Sequence, residues 1–342
     1  MIYALVSILR NEASTIGAML SSVKPYISAY TVVDTGSTDD TQSVVREVLS
    51  GIPGSLTERP FDNFGAARTD VLRKARGTAD WLLASDADMV WEFDEGWEPD
   101  PAVDAYNIEM RLGELTYRLP LLLRGDLPWK SVGAVHEFTC LEDGSLGRRE
   151  NTDAVRVTVQ HRPSAGKTEW HLSLLEQELR EQPDNARTVF YIAQSLRDLG
   201  RTLEAIEMYE RRMSMVGWDE ERYYSAYRRG LLLNDPVALL AAWESRPQRL
   251  EALSAACRIL NSNNAHLAVY RLTQGFTDGM EPPNDTLFLH RAAWDYEIAM
   301  ERAISGWWVG EREEAQQINE RLLRRELPAN IREAVERNLS IG

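Results

Sequence analysis

The chain has 342 residues, 44% of them apolar and 27% charged, which is enough for two domains with separate cores. A net charge of -15 argues against a broad electrostatic grip on phosphate backbones. Cys140 and Cys257, far apart in sequence, are too few for a disulfide scaffold and point to reduced thiols in a cytoplasmic setting. The start, MIYALVSILRNE, has no basic region and no small-residue cleavage site, so it reads as a strand. No apolar run approaches the ~20 residues needed to cross a bilayer, so no membrane insertion is expected.

Residues 1 to about 160 alternate two rhythms. Ile2–Leu9 is an apolar run of strand length, and Ser14–Val23 has helical spacing with Ser14 or Thr15 at its N-cap. Thr31–Val33 reads as a strand, Ser37–Leu49 as a helix and Ser55–Glu58 as a strand. Phe64–Arg76 reads as a helix ended at Gly77, and Trp81–Ala84 as a strand. This alternation implies parallel pairing in a doubly wound α/β sheet, with ligands beyond the carboxyl ends of the strands. Polar clusters fall at those ends: Arg10-Asn11-Glu12, Asp34 to Asp39, and Asp86-Ala87-Asp88.

From Trp170 the pattern is helical. Asn185–Met213 fits one tetratricopeptide unit, with Ala193, Gly200, Ala205 and Tyr209 at its small, turn, small and aromatic positions. Further pairs are expected at 249–277 and 286–324, which suggests a short α-solenoid able to grip an extended chain; a plain helical bundle is the alternative. The domains are therefore 1–165 and 166–342.

The stretch TVVDTGSTDDT (31–41) is a strand–turn–helix junction in which Ser37 and Thr38 could cap the helix. It is also a place where Asp34 could accept hydrogen bonds from a base or ribose. The lysine loop GxxxxGK[ST] and the GxGxxG turn are both missing, which disfavours P-loop and dinucleotide binding. Asp86 and Asp88, at i and i+2, would project to one side of an extended chain and could share Mg²⁺ or Mn²⁺. From Gly77 to Met110 there are ten acidic residues and no lysine or arginine, so the local sequence offers the pair no cationic partner.

Together, SILRNEASTIGAML, VVDTGSTDDT, FDNFGAARTDVL and WLLASDADM resemble the donor half of a family 2 glycosyltransferase with the GT-A fold. Asp86-Ala87-Asp88 stands at the DxD motif. The helical repeats narrow the likeness to bacterial and phage enzymes that join such a domain to tetratricopeptide repeats, among them the sublancin-type peptide glycosyltransferases. The resemblance implies an inverting, metal-dependent hexosyltransferase using a nucleotide-sugar, a UDP-sugar first, with Mn²⁺ or Mg²⁺. Asp34 would contact uracil or ribose, helped by Asn11 and Glu12. Arg68 would counter the nucleotide's charge, unless it makes only a surface ion pair. Asp86 would hold ribose, sugar or metal-bound water, and Asp88 would ligate the metal.

His161, ending AVRVTVQH, would complete the metal site, with a surface role as the alternative. Glu137, in WKSVGAVHEF, would be the base, with His136 its competitor; the Glu-Asp pair of many family members is missing there. Trp129 would stack on a sugar or fill core. The acceptor would be a peptide or protein side chain held by the repeats; a modified nucleobase or other nucleic-acid acceptor and self-association through the helical domain stay open. A nucleotidyltransferase and a non-catalytic scaffold with a degenerate transferase domain are the rival readings.

Overall fold

The structure is a computed structural model and describes residues 1–113, 115–160, 166–276 and 280–340. Its contacts divide the chain into two compact units, Met1–Leu174 and Leu175–Gly342.

The first unit opens with β1 (Tyr3–Leu9), α1 (Ile16–Val23), β2 (Ile27–Asp34), α2 (Thr41–Val48), β3 (Gly54–Glu58), α3 (Phe64–Ala75) and β4 (Trp81–Ala84). These supply four parallel strands in the order β3-β2-β1-β4. Both faces of this part are covered, so both sets of alternating side chains are apolar. Leu5, Val32 and Leu83 face Ile16, Met19 and Leu20 of α1 and Val45 of α2. Ala4, Val6, Val33 and Leu82 face Val71, Leu72 and Ala75 of α3.

The expected doubly wound α/β arrangement is present, but the sheet does not stay parallel. It continues through β5 (Met89–Phe93), β6 (Ala105–Leu112), β7 (Leu115–Arg124) and β10 (Arg149–Val159), in the full order β3-β2-β1-β4-β7-β6-β10-β5. The β4–β7, β6–β7 and β5–β10 pairs are antiparallel. Between them, β8 (Trp129–Val132) and β9 (Phe138–Leu141) form a separate hairpin. The parallel half is what the motifs led one to expect; the antiparallel strands of the same sheet were not expected from them.

Helix α4 (Lys167–Glu181) leads from the first unit into the second. The second unit continues with α5 (Ala186–Asp198), α6 (Thr202–Ser214), α7 (Asp219–Leu233), α8 (Pro236–Ser245), α9 (Glu251–Ser262) and α10 (His266–Leu272). A π-helical turn, Ala293–Glu297, enters α11 (Ile298–Val309), followed by α12 (Arg312–Leu323) and α13 (Ala329–Ser340). The helical-repeat expectation holds, with one more pair than the sequence suggested: α7–α8 lies between the first two expected pairs. Helix α8, PVALLAAWES, is apolar around most of its circumference, so it lacks the one-sided period that marks a helix in sequence.

Residues 286–291, expected to be helical, instead run as an irregular strap past α5, α7 and α9. Asp285 pairs with Arg246 at 2.5 Å and with the fully buried Arg249 at 3.1 Å. Glu220 accepts from the backbone N–H of Thr286 and Leu287, and Leu287 packs on Phe190 and Tyr224. The Phe288 ring lies 5.0 Å from that of Tyr224. Among the described residues no helix is long and apolar enough to cross a membrane.

Candidate nucleotide and metal site

The parallel strands end in register, Leu9 beside Asp34 and Val6 beside Ala84, so their following loops converge on one rim. A cleft of about 720 Å³ opens there, lined by Arg10, Asn11, Glu12, Thr35, Phe61, Phe64, Arg68, Asp86, Asp88, Gln160, Lys167 and Trp170, among others.

Asp34 is fully buried at the end of β2. Its Oδ1 accepts from the backbone N–H of Gly36 (2.8 Å) and Ser37 (2.7 Å), so the carboxylate is clamped by its own turn. Gly36 allows that turn with φ of 105°. Asp34 Oδ2 is buried and has no hydrogen-bond partner among the described residues. A buried ionised oxygen left unpaired is costly, so it marks a place where a donor belongs.

The expected helix from Ser37 is a turn, and α2 starts only at Thr41. Ser37 and Thr38 do not cap it; they tie two loops together. Ser37 Oγ accepts from Asn11 N–H at 3.0 Å, and Asn11 Oδ1 accepts from Thr38 N–H at 2.8 Å. Asn11 adopts φ of 55°, a conformation asparagine tolerates better than most residues. Its amide oxygen is thus spent on holding the rim.

Glu12 is half-buried in the cleft. Burial pushes its carboxyl pKa up, and the charges of Asp88 and Asp86 push it further, against a hydrogen bond from Thr15. Asp86 and Asp88 do not extend a strand: β4 ends at Ala84 and β5 begins at Met89, and both aspartates lie in the link between them. Tyr117 on β7 also feels them, since burial and then Asp88 and Asp86 raise its hydroxyl.

The pair does have a cationic partner, supplied from 18 residues upstream. Arg68 Nη2 meets Asp86 Oδ1 at 2.6 Å, and Arg68 Nε meets Glu137 Oε1 at 2.5 Å. Burial alone would weaken the guanidinium's hold on its proton, but the two carboxylates outweigh it and raise its pKa. Arg68 is therefore more than a helix-surface ion pair. The contact arises because α3 is docked on the β8–β9 hairpin. Gly65 N–H donates to Gly133 O, and a Cβ on Gly65 would stand 2.5 Å from that oxygen. Thr69 fastens Ser131, which carries the following 133–137 loop with His136 and Glu137.

His136 adopts φ of 53° and lies 6.0 Å, ring to ring, from His171. His171 Nε2 is buried and has no hydrogen-bond partner among the described residues; burial pulls its pKa down to about 4, helped by His136 and Lys167. Phe61, Phe64 and Trp170 pack ring on ring at 5.2 to 5.5 Å along one wall. Trp129 is core, its indole N–H donating to Arg124 O. Of the cations lining the cleft, Arg10 and Lys167 make no ion pair among the described residues. Lys167, Trp170, His171 and Tyr117 were not singled out in the sequence, where nothing links them to the loops they join. His161 lies outside the described residues.

Among the described residues no three His, Cys, Asp or Glu side chains form a ready metal cage. Asp86 and Asp88, close enough to Glu12 for their charges to raise its carboxyl, offer carboxylate oxygens alone. Mg²⁺ and similar hard cations are usually held by one or two carboxylates together with substrate phosphates.

Residues 5–98 match the family model described as glycosyl transferase family 2. The SPbeta prophage-derived glycosyltransferase SunS of Bacillus subtilis is 27% identical over 219 residues, 58% of this chain and 50% of SunS. A TPR repeat-containing protein of Synechococcus elongatus is 28% identical over 169 residues, 47% of this chain and 40% of its own. The chain spans about half the length of the curated relatives it matches. Among solved structures, TarS of S. aureus in complex with UDP-GlcNAc is 12% identical with a TM-score of 0.34, covering 85% of this chain and 99% of that one. The match over residues 5–98 is to the family that the motifs resemble.

Proposed function

We propose that this chain, with a family 2 glycosyltransferase domain at its N-terminus, transfers a sugar from a nucleotide-sugar to an acceptor. A UDP-sugar is the first donor to consider, and the transfer inverts the anomeric centre. The observation that carries this reading is Asp34: a buried carboxylate, fixed by its own turn, one oxygen of which meets no hydrogen-bond donor among the described residues. A base N–H or a ribose hydroxyl satisfies that oxygen.

Asp86 and Asp88, with Glu12, are the residues that would hold Mn²⁺ or Mg²⁺, and a bound cation would offset the charge of the departing diphosphate. Arg10 and Lys167 face the same cleft and add positive charge on the phosphate side. Glu137 is the base. Arg68 holds one of its oxygens, which leaves the other to take the acceptor's proton as the acceptor attacks C1 and the nucleoside diphosphate leaves. His136, next in the chain, is its competitor for that role.

A peptide or protein side chain is the acceptor class that helical repeats favour. The face formed by Phe190 and Tyr224 is already covered by the 285–290 strap, so an acceptor is held by other surfaces of the helical unit.

A thermal-shift titration with UDP, GDP, CDP, dTDP and ADP, each with and without Mn²⁺, tests the reading. Stabilisation by one nucleotide, larger with metal, is expected. No response to any of them removes the donor site and the function with it.

A further inference from the structure

Arg68 bridges two carboxylates that the proposed reaction needs for different purposes: Asp86 on the donor side and Glu137 on the acceptor side. We propose that Arg68 is a displaceable counter-ion, which holds Asp86 before the donor binds and yields it to the divalent cation arriving with the nucleotide diphosphate. This rests on the donor-site reading above.

Three features support the exchange. The first is access. The side chains of Arg68, Asp86 and Glu137 are 23%, 35% and 17% exposed, so water reaches the bridge and it can open without stranding a bare charge in the core. The second is charge. Asp86 and Glu137 share one guanidinium, so the two carboxylates outnumber the charge that Arg68 supplies. A divalent cation relieves that excess, whereas a second cation sharing Asp86 with Arg68 would meet its repulsion at close range.

The third is attachment. Arg68 keeps Glu137 through Nε while its Nη2 serves Asp86. Opening the second contact leaves the guanidinium tethered to Glu137 and lining the cleft. Arginine suits this because its planar fork can serve two partners and then change one. Donor binding is thereby linked to the Glu137 loop through one side chain.

The rival arrangement keeps Arg68 on Asp86 Oδ1 after the cation binds, so that it merely orients the ligand. The two differ in sign. Mn²⁺ binding, followed by EPR without nucleotide, is compared in the wild-type protein and in Arg68→Met, which keeps the stem and removes the charge. Removing a neighbouring charge shifts carboxylate affinity by about tenfold or more, so Arg68→Met is expected to bind Mn²⁺ on the order of tenfold tighter. Arg68→Lys, whose ammonium cannot span both carboxylates, should lie between them and guards against misfolding of the first variant. Adding UDP should narrow the gap, because the guanidinium then assists the diphosphate.

If both variants bind Mn²⁺ no more tightly than the wild type, while the wild type takes up Mn²⁺ with UDP, the exchange is wrong and Arg68 orients Asp86. If the wild type takes up neither Mn²⁺ nor UDP, the donor-site reading fails and the exchange fails with it.

Discussion

Thr69 closes both of its side-chain hydrogen bonds on the backbone of Ser131, accepting from its N–H at 2.9 Å and donating to its carbonyl at 3.0 Å. A residue on α3 thus sets the position of the hairpin whose far loop carries Glu137. Thr69→Val keeps the shape and loses both bonds, at about 1–2 kcal/mol. Stability measured by urea unfolding should fall by that amount. Donor turnover should fall more than donor affinity, because the base moves while the nucleotide site stays.

Asp34→Asn is the sharpest test of the nucleotide site. The remaining oxygen can still take the Gly36 and Ser37 amides, so the turn survives. The buried partnerless oxygen becomes an NH₂ group, which meets a ligand donor with another donor. Nucleotide affinity should drop by about tenfold to a hundredfold, read by calorimetry. A variant that binds as well as the wild type would place the nucleotide elsewhere.

His171 predicts a pH dependence. The unfolded chain takes up the proton near pH 6.5, whereas the folded protein resists it down to about 4 because the ring is buried beside His136 and Lys167, against a weaker pull from Glu137. Between those values the unfolded state binds more protons, so stability is held above pH 6.5 and is lost as the pH falls toward 4. From pH 7 to pH 5 the contribution, reduced by solvent screening of a half-buried ring, is about 1 kcal/mol. His171→Asn should lose less stability than the wild type over that interval, by about this difference, in paired denaturant titrations.

In the helical unit, Asp285→Ala removes a carboxylate shared by Arg246 and the fully buried Arg249. Glu251 remains on Arg249 at 2.8 Å, so the cost should be about 2–3 kcal/mol rather than that of a bare buried charge. Amide exchange at Thr286 and Leu287 should accelerate if the strap is held this way. Unchanged exchange would mean that Leu287 packing alone fixes it.

The repeating strand and helix periods made the first domain legible as far as β4. Trp81–Ala84 matched its expected bounds, and β1, β2, β3 and α3 matched to within a few residues. Beyond Asp88 only AVRVTVQH and a strand pair within 129–138 were read as strands; β5, β6 and β7 were not assigned, because no alternating helix announces the antiparallel β6–β7 and β5–β10 pairs. Ser37 and Thr38 looked like helix caps because local spacing cannot tell a cap from a cross-loop tie. Their partners are 26 and 27 residues away at Asn11.

What the sequence determined by itself was the inventory: apolar periods that build a two-faced sheet and stacked helices, and polar residues that must fall at the strand ends. It placed Asp34, Asp86 and Asp88 on one rim because parallel strands bring their carboxyl ends together wherever the chain returns. Only the tertiary structure decided how those charges are matched. The run from Gly77 to Met110 holds no cation, yet Asp86 has Arg68, and Arg68 has Glu137 from 69 residues further on. Ion pairing depends on distance through space, and the docking of α3 on the β8–β9 hairpin that sets this distance leaves no period in the sequence.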